Sequence, residues 1–249
     1  MCTIAILFNV ADVPLVVAAN RDEQYARRTR APEVLAPRIA GGVDEESGGT
    51  WLAVHAAGRF AAVTNQRAVD PRPPGVRSRG LVVRELIEAD DPDAYVAAID
   101  PRRYASMNLV WGDAERVRVA YLRHDGGHEM IDLPHGVHTL CNDRMDAPVF
   151  PRCSRLAASI PRAWDPAALR AVLSDHTTVD PPDDAEEASR RLPRELARAL
   201  TATCIHTPAY GTRSSSLIAI DRGRTRAYLH ADGPPCVTPF VDRTELLDA

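Results

Sequence analysis

The stretch MCTIAILFNVADVPLVVAANRDE, residues 1–23, decides the fold of this chain. Two short apolar runs, residues 4–8 and 15–19, lie on either side of a segment that contains Asn9, Asp12 and Pro14. Apolar runs separated by turn-forming residues predict two buried strands joined by a tight turn. We therefore expect the chain to begin with a β-hairpin and its amino terminus to be part of the fold.

Strand and helix patterns alternate along the rest of the chain. A helical spacing of apolar residues covers 80–89, and residues 151–200 are rich in Ala, Leu, Arg and Glu around a polar loop at 180–184. Strands from both ends of the chain that enclose helical segments predict an α+β layered fold, organised as one domain over residues 1–249. The further predicted strands are 50–55, 59–65, 107–111, 117–123, 130–133, 137–141, 214–220 and 226–230.

Composition excludes several classes of function. The chain has 249 residues, 45% of them hydrophobic, and a formal net charge of -4 with its basic residues scattered among acidic ones. It therefore carries no basic patch for nucleic acid. The first apolar run has no basic segment before it and is soon interrupted by polar residues, so it is neither a signal peptide nor a membrane span. A cytoplasmic protein is expected.

The spacing of the cysteines and histidines argues against disulfide bridges and metal-binding sites. Five cysteines form no C-x-x-C pair, which predicts neither a disulfide framework nor a zinc knuckle. His135, His138 and Cys141 lie three residues apart on a predicted strand, where they point to opposite faces. Cys204 and His206 are close in sequence but have no paired motif around them. No metal site is predicted.

Cys2, directly after the initiator methionine, is the first residue that suggests chemistry. Aminopeptidases remove Met1 when the next residue is small, and the new terminus then carries a thiol and a free α-amine. Their unperturbed pKa values, about 8.5 and about 7.7–8.0, allow the amine to act as base for the thiol. Position alone is also consistent with a small buried strand residue.

The polar segment 20–23, Asn-Arg-Asp-Glu, ends the second strand of the predicted hairpin. In an antiparallel hairpin the end of the second strand lies beside the start of the first, so this segment is expected next to Cys2. Four polar residues at a strand end also fit an ordinary solvated turn.

The chain as a whole resembles the NRDE family, also called the Transport and Golgi organisation protein 2 family, from residue 1 to about 230. This resemblance implies an N-terminal-nucleophile fold, a four-layer αββα sandwich, with distant similarity to choloylglycine hydrolases and penicillin V acylases, which cleave amides. The segments that carry it are 1–4, 17–23, 41–42, 48–52, 58–60, 64–65 and 210–214.

The resemblance also implies a set of site residues. The acylase pattern of a terminal Cys, an Arg and Asp after the second strand, two Asn and a later Arg suggests oxyanion donors in the two asparagines and a cation beside the thiol. In the acylases two residues stand between the Arg and the Asp, whereas here the two are adjacent, so either Asp22 or Glu23 holds the terminal amine. The expected catalytic residues are Cys2, Arg21, Asp22, Asn65 and Asn142, and the expected substrate-binding residues are Asn20, Glu23 and Arg213.

Two functions follow from this reasoning. One is a cysteine amidase or acyltransferase that acts on a small acylated amine or thioester through an acyl-Cys2 intermediate and needs no cofactor. The other is a carrier that uses the same pocket for haem or an acyl-lipid ligand, to which relatives in the family are linked. The partner is thus a small acyl or haem-like molecule, and the sequence leaves the substrate and the oligomeric state open.

Overall fold

The computed structural model describes residues 2–66, 75–180 and 192–249. Most of the predicted polar loop at 180–184 lies outside these residues. The helices are α1 (Arg79–Glu88), α2 (Pro92–Ala97), α3 (Pro151–Ser159), α4 (Pro166–Leu173) and α5 (Arg194–Ala199), with 3₁₀ turns at Pro101–Arg103 and Thr244–Leu247. The strands are β1 (Cys2–Phe8), β2 (Leu15–Gln24), β3 (Thr29–Ala36), β4 (Ile39–Asp44), β5 (Leu52–His55), β6 (Arg59–Asn65), β7 (Met107–Gly112), β8 (Val117–Leu122), β9 (His128–Asp132), β10 (Gly136–Leu140), β11 (Tyr210–Asp221), β12 (Arg224–Ala231) and β13 (Val241–Asp242).

The strands form two sheets, and both ends of the described chain belong to the first. Its strand order is β10-β1-β2-β11-β12-β13, and the order of the second sheet is β3-β4-β5-β6-β7-β8-β9. The strand pairs are antiparallel throughout both ladders. The second sheet is a meander because consecutive strands pair, whereas the first joins strands from distant parts of the sequence.

Apolar side chains point alternately to the two faces of β1 and β2, and this explains why the two sheets stack. In β1 and β2, Ile4, Ile6, Val17 and Ala19 pack against apolar residues of the second sheet in the central core. Their neighbours, such as Leu7, point outward and pack against α3 and α4. On the far side, α1 and α2 cover the outer face of the second sheet. A sheet with apolar residues on both faces must be covered on both, and the result is the expected αββα sandwich.

The strands predicted from the sequence are present in the structure, but several of them begin or end at other residues than predicted. The opening hairpin forms as predicted, yet β2 continues to Gln24, so the Asn-Arg-Asp-Glu segment lies inside a strand and not after it. Strand β2 continues through residues 20–24 because β11, which starts at Tyr210, pairs with them along the edge of β2 that faces away from β1. Strands β3 and β4 and helix α2 were not predicted, since proline and glycine interrupt their patterns.

A disulfide between Cys141 and Cys153 corrects the expectation that the cysteines remain unpaired. It joins the residue after β10 to the first turn of α3, 12 positions away in sequence. No C-x-x-C spacing announces it, because the two thiols meet only when α3 packs on β10. In the described residues, no helix is long and apolar enough to cross a membrane.

Candidate nucleophile site

Cys2 lies at the edge of the central core, at the first position of β1. It pairs across the strands with Arg21 of β2, and the alternation of β1 places its side chain on the face that looks toward the second sheet. The residue is 8% exposed. Arg21 and Glu23 follow Val17 and Ala19 on the same face of β2, so the hairpin register alone brings the thiol, a cation and a carboxylate together.

The second sheet and α1 close a cavity of about 100 Å³ over Cys2. Polar and charged residues predominate in its wall, which is partly open to solvent. The lining residues are Cys2, Arg21, Glu23, Arg27, Asp44, Thr50, Trp51, Val63, Asn65, Ser78, Arg79 and Gly80. Three of the predicted site residues, Arg21, Glu23 and Asn65, therefore share a cavity with Cys2.

Glycines allow α1 to approach the second sheet closely enough to form this wall. A Cβ on Gly49 would lie 2.5 Å from the carbonyl carbon of Gly80, a distance that side chains do not tolerate. The Thr50 N–H donates to the Gly80 carbonyl at 3.0 Å across the same contact. Gly49 thus allows close backbone packing between the second sheet and α1.

Arg21 is a buried cation whose charge is only partly compensated. Its nearest carboxylate, Asp44, lies 4.0 Å away and is bound more closely by Arg27 at 2.7 Å. The Arg21 Nη1 atom is buried and has no hydrogen-bond partner among the described residues. A buried donor left in this state is costly, so Arg21 is ready to bind an acceptor in the cavity.

Asn65 ends β6 and is held from behind by Asn142. The Asn142 side-chain amide donates to the Asn65 carbonyl at 2.8 Å, and its oxygen accepts from Arg152 Nη2 at 3.3 Å. Asn142 is buried and lies behind the cavity wall instead of lining it. In this arrangement Asn65 lines the cavity, while Asn142 fixes the end of the strand.

Asp22 lies on the opposite face of β2 from Arg21, toward the outer helices. Its Oδ1 accepts a hydrogen bond from the Thr212 hydroxyl at 2.7 Å, and Oδ2 lies 3.6 Å from Arg152 Nη1. Both side chains of this ion pair are almost fully buried. Burial raises the pKa of Asp22, and the nearby Arg152 guanidinium offsets part of the rise.

Burial has the largest influence on the pKa of the Cys2 thiol. Burial raises the pKa of the Cys2 thiol, and the Asp22 carboxylate adds to the rise, whereas Arg21 lowers it. The net direction is upward because removal from water penalises the thiolate more than the two nearby positive charges, the amino terminus and Arg21, stabilise it. A thiol with a raised pKa needs a base to become a nucleophile.

Two predicted substrate-binding residues do not lie in the cavity. Asn20 is fully buried on the outer face of β2, where its amide donates to the carbonyls of Leu173 and Thr203, both at 2.9 Å, and its oxygen accepts from Ser215. Its polar atoms are thus used to hold the helical layer. Arg213 lies at an irregularity in the pairing of β11 with β2 and donates to backbone carbonyls at the end of β2. Arg213 is not among the residues that line the cavity around Cys2; it is the extra residue of a bulge in β11.

Arg152, next to Asp22 and Asn142, is a residue that the sequence analysis did not identify. It lies in the first turn of α3 and is fully buried, with contacts to Asp22, Asn142 and the sulfur of Cys141. A basic residue in the first turn of a helix is unfavourable with respect to the helix dipole, which is the one signal that was available. The sequence also did not reveal Asp44 at the end of β4, Thr50 before β5 and Arg79 at the start of α1, since they reach the cavity only when the second sheet and α1 pack over Cys2.

The histidine and cysteine trio near β10 forms no common site. His138 is bound by Asp146 at 2.7 Å and by the carbonyl of Pro134 at 2.8 Å. Cys141 is in the disulfide, and His135 packs edge-on against Phe8. The three side chains therefore have separate partners, as strand alternation requires.

Comparison with known proteins gives the family and the fold. Residues 1–230 match the sequence model of the family described as Transport and Golgi organisation 2. The chain is 30% identical over 247 residues to the Transport and Golgi organization protein 2 homolog of Bos taurus and 27% identical over 248 residues to that of Homo sapiens, with 89% of each chain covered in both cases.

Among solved structures, the Caenorhabditis elegans N-acylethanolamine-hydrolyzing acid amidase (NAAA) ortholog is similar with a TM-score of 0.53 and 10% sequence identity, over 88% of this chain and 92% of that one. At this identity the likeness concerns the fold, which is that of the N-terminal-nucleophile hydrolases. By its sequence, this chain belongs to the Transport and Golgi organisation 2 family.

Proposed function

We propose that this protein is a cysteine N-terminal-nucleophile amidase or acyltransferase that takes the acyl group of a small acylated amine or thioester onto Cys2. The observation that carries the proposal is the meeting of Cys2, Arg21 and Asn65 in one cavity, although they come from three strands of two sheets. The solved N-acylethanolamine-hydrolyzing acid amidase of similar fold supports the reaction class. Fold alone does not fix a reaction, so the proposal rests on the cavity.

The raised pKa of Cys2 defines the first chemical step. Removal of Met1 would leave an α-amine on the same residue as the thiol, and this amine accepts the Sγ proton while the sulfur attacks the substrate carbonyl. The tetrahedral intermediate carries a negative oxygen, which the Asn65 amide and Arg21 would stabilise by hydrogen bonding. Collapse expels the amine or thiol of the substrate, which takes the proton back from the α-ammonium.

The second half of the reaction restores the enzyme. A water molecule, or an acceptor amine in the transferase case, loses a proton to the α-amine and attacks the acyl-Cys2 thioester. The thioester bond breaks, the acid or new amide leaves, and the thiol regains its proton. Asn142 and Arg152 act in this scheme as positioning residues, because they contact the strand end and Asp22 but not the cavity.

The size and polarity of the cavity favour this reaction over a haem carrier. A volume of about 100 Å³ is below the roughly 300–1,000 Å³ typical of small-molecule pockets. It accommodates the reacting end of a substrate whose remainder extends into solvent. A haem macrocycle needs a long apolar slot, whereas three arginines and two carboxylates line this wall, so the residues present do not fit that group.

The proposal is tested by trapping the acyl-enzyme. The protein, processed to begin at Cys2, is mixed with short-chain N-acetylcysteamine thioesters and N-acyl amides, quenched in acid and analysed by peptide mass spectrometry. We expect the acyl mass on the peptide that begins with Cys2. Asn65→Ala should slow its appearance by about 10²–10³-fold, since one oxyanion donor is lost, and Cys2→Ala should abolish it.

Unchanged acylation in Asn65→Ala would contradict the role of the cavity. Two results together would establish the carrier function instead. No acyl donor would give an acyl-enzyme, and both the unaltered protein and Cys2→Ala would bind a lipid or haem tightly. Circular dichroism of both variants provides the control for folding, because neither side chain contributes to the central core.

A further inference from the structure

A second cluster of reactive side chains lies on the outer side of the first sheet, away from the cavity. It contains two histidines and two cysteines, His176, Cys204, His206 and Cys236, whose potential ligand atoms all lie within 4.8 Å of one another. The four come from three separate segments: the chain after α4, the segment before β11 and the chain after β12. Both cysteines are free thiols.

Three of the distances within the cluster match the edges of a tetrahedron around a metal ion. The Cys204 and Cys236 sulfurs are 3.8 Å apart, and His206 Nε2 lies 3.5 Å from the first and 3.4 Å from the second. Zinc bonds of about 2.3 Å to sulfur and about 2.0–2.1 Å to nitrogen give tetrahedral edges of about 3.8 Å between sulfurs and about 3.5 Å between sulfur and nitrogen.

His176 is oriented as a fourth ligand. Its Nδ1 lies 3.2 Å from the Cys204 carbonyl oxygen, to which it donates a hydrogen bond when the ring is neutral. This bond fixes the tautomer and leaves Nε2 as the metal-binding atom, the arrangement commonly seen behind zinc-bound histidines. The rings of His176 and His206 are 5.0 Å apart between centroids and do not stack in parallel.

We propose that these four residues form a structural Zn²⁺ site of the Cys₂His₂ type. Two thiolates and two imidazoles are a ligand set that favours zinc over harder divalent cations. Four protein ligands leave no open position for water, which separates the site from catalytic zinc centres. Binding releases the two thiol protons, so the ion with its thiolate ligands is electrically neutral.

The position of the site indicates its role. Thr203, next to Cys204, accepts the hydrogen bond from Asn20 in the centre of β2. Ile205 exchanges two hydrogen bonds with Thr212, whose hydroxyl in turn donates to Asp22. A metal that ties the 204–206 segment to the two other segments would thus hold the outer face of the strand whose inner face carries Arg21.

The proposal departs from the sequence-based expectation of no metal site. The close pair Cys204 and His206 was recognised, but two ligands do not make a zinc centre. His176 and Cys236 lie about thirty positions away on either side and have no motif of their own. Only the packing of α4 and of the chain after β12 onto the same edge assembles four ligands.

Metal content of the full chain tests this site independently of any activity. The protein is purified without a histidine tag and under reducing conditions from cells supplied with zinc, and zinc is measured by plasma mass spectrometry. We expect about one zinc per chain. Cys204→Ala and Cys236→Ala should each lose most of it, whereas Cys2→Ala and His135→Ala, the matched controls, should retain it.

Cobalt substitution of the unaltered protein provides a measurement that needs no variant. A tetrahedral site with two thiolates should give the visible absorption of four-coordinate Co²⁺ and sulfur-to-cobalt charge-transfer bands, and zinc should displace them. Absence of zinc and of these bands from reduced, zinc-supplied protein would overturn the proposal. So would a Cys204–Cys236 disulfide in freshly purified protein, or zinc retained in both cysteine variants.

Discussion

Replacement of Arg152 by Met tests the buried ion pair behind the nucleophile. Arg152 and Asp22 have side-chain exposures of 1% and 0%, and their nearest atoms are 3.6 Å apart. Methionine keeps much of the volume but removes the charge, which leaves the Asp22 carboxylate in the interior with the Thr212 hydroxyl as a remaining donor. Breaking a buried pair in this way costs about 3–5 kcal/mol of the free energy of unfolding.

The loss of stability in Arg152→Met should increase as the pH rises. Burial already raises the pKa of Asp22 in the unaltered protein, and Arg152 is the largest influence that lowers it. Without Arg152 the folded-state pKa rises further above the unfolded value. A group with a raised folded pKa contributes its full stability below the unfolded pKa and loses it as pH rises through the folded pKa. The variant should therefore be closest to the unaltered protein in acid and fall behind it as pH rises.

Urea unfolding at pH 5 and pH 8, followed by tryptophan fluorescence, measures this difference. The double variant Asp22→Asn/Arg152→Met removes both charges and should recover most of the stability at pH 8, because no ionised group remains buried. A stability loss of the same size at both pH values, with no recovery in the double variant, would refute the argument. The loss would then come from packing around Arg152 alone.

Three further predictions follow. The intact mass of the purified protein should lack Met1, since the proposed base is the α-amine of the next residue. Reduction of the Cys141–Cys153 disulfide should lower the free energy of unfolding by about 3 kcal/mol, the value expected for a loop of this size, as seen in urea melts with and without reductant. Asn20→Ala should cost about 2–4 kcal/mol because three buried hydrogen bonds are lost, whereas Arg213→Ala, whose partners are exposed backbone carbonyls, should cost less than about 1 kcal/mol.

Each of these predictions has a clear opposite. Full retention of Met1 on protein that forms an acyl-enzyme would show that the amine is not the base. Equal urea midpoints in both redox states would mean that the disulfide is absent in solution. Equal losses of unfolding free energy in Asn20→Ala and Arg213→Ala would contradict the conclusion that the hydrogen bonds of Asn20 are buried and those of Arg213 exposed.

The opening hairpin illustrates what local sequence patterns fix. Two apolar runs with a turn between them determine β1 and β2, and period-two alternation then determines which side chains share a face. Cys2 and Arg21 become neighbours by register alone. For the same reason the sequence was sufficient to place Asn20 and Asp22 on the other face once the strand was known to continue through them.

The remaining parts of the site depended on contacts between segments far apart in the chain. Asn65 meets Cys2 because the two sheets stack, and Arg152 meets Asp22 because α3 packs on the first sheet. The register irregularity of β11 turns Arg213 away, and nothing in its neighbouring residues announces this. Likewise, four ligands from three segments make the proposed zinc site only after folding.

By itself, the amino-acid sequence determined the layered α+β fold, the nucleophile candidate and the neighbours that a hairpin register provides. The tertiary structure alone decided which polar residues face the cavity, which cysteines pair and which ligands converge. The physical reason is range: hydrophobic periodicity and turn chemistry act over a few residues, whereas burial, ion pairing and metal geometry depend on which distant surfaces pack together.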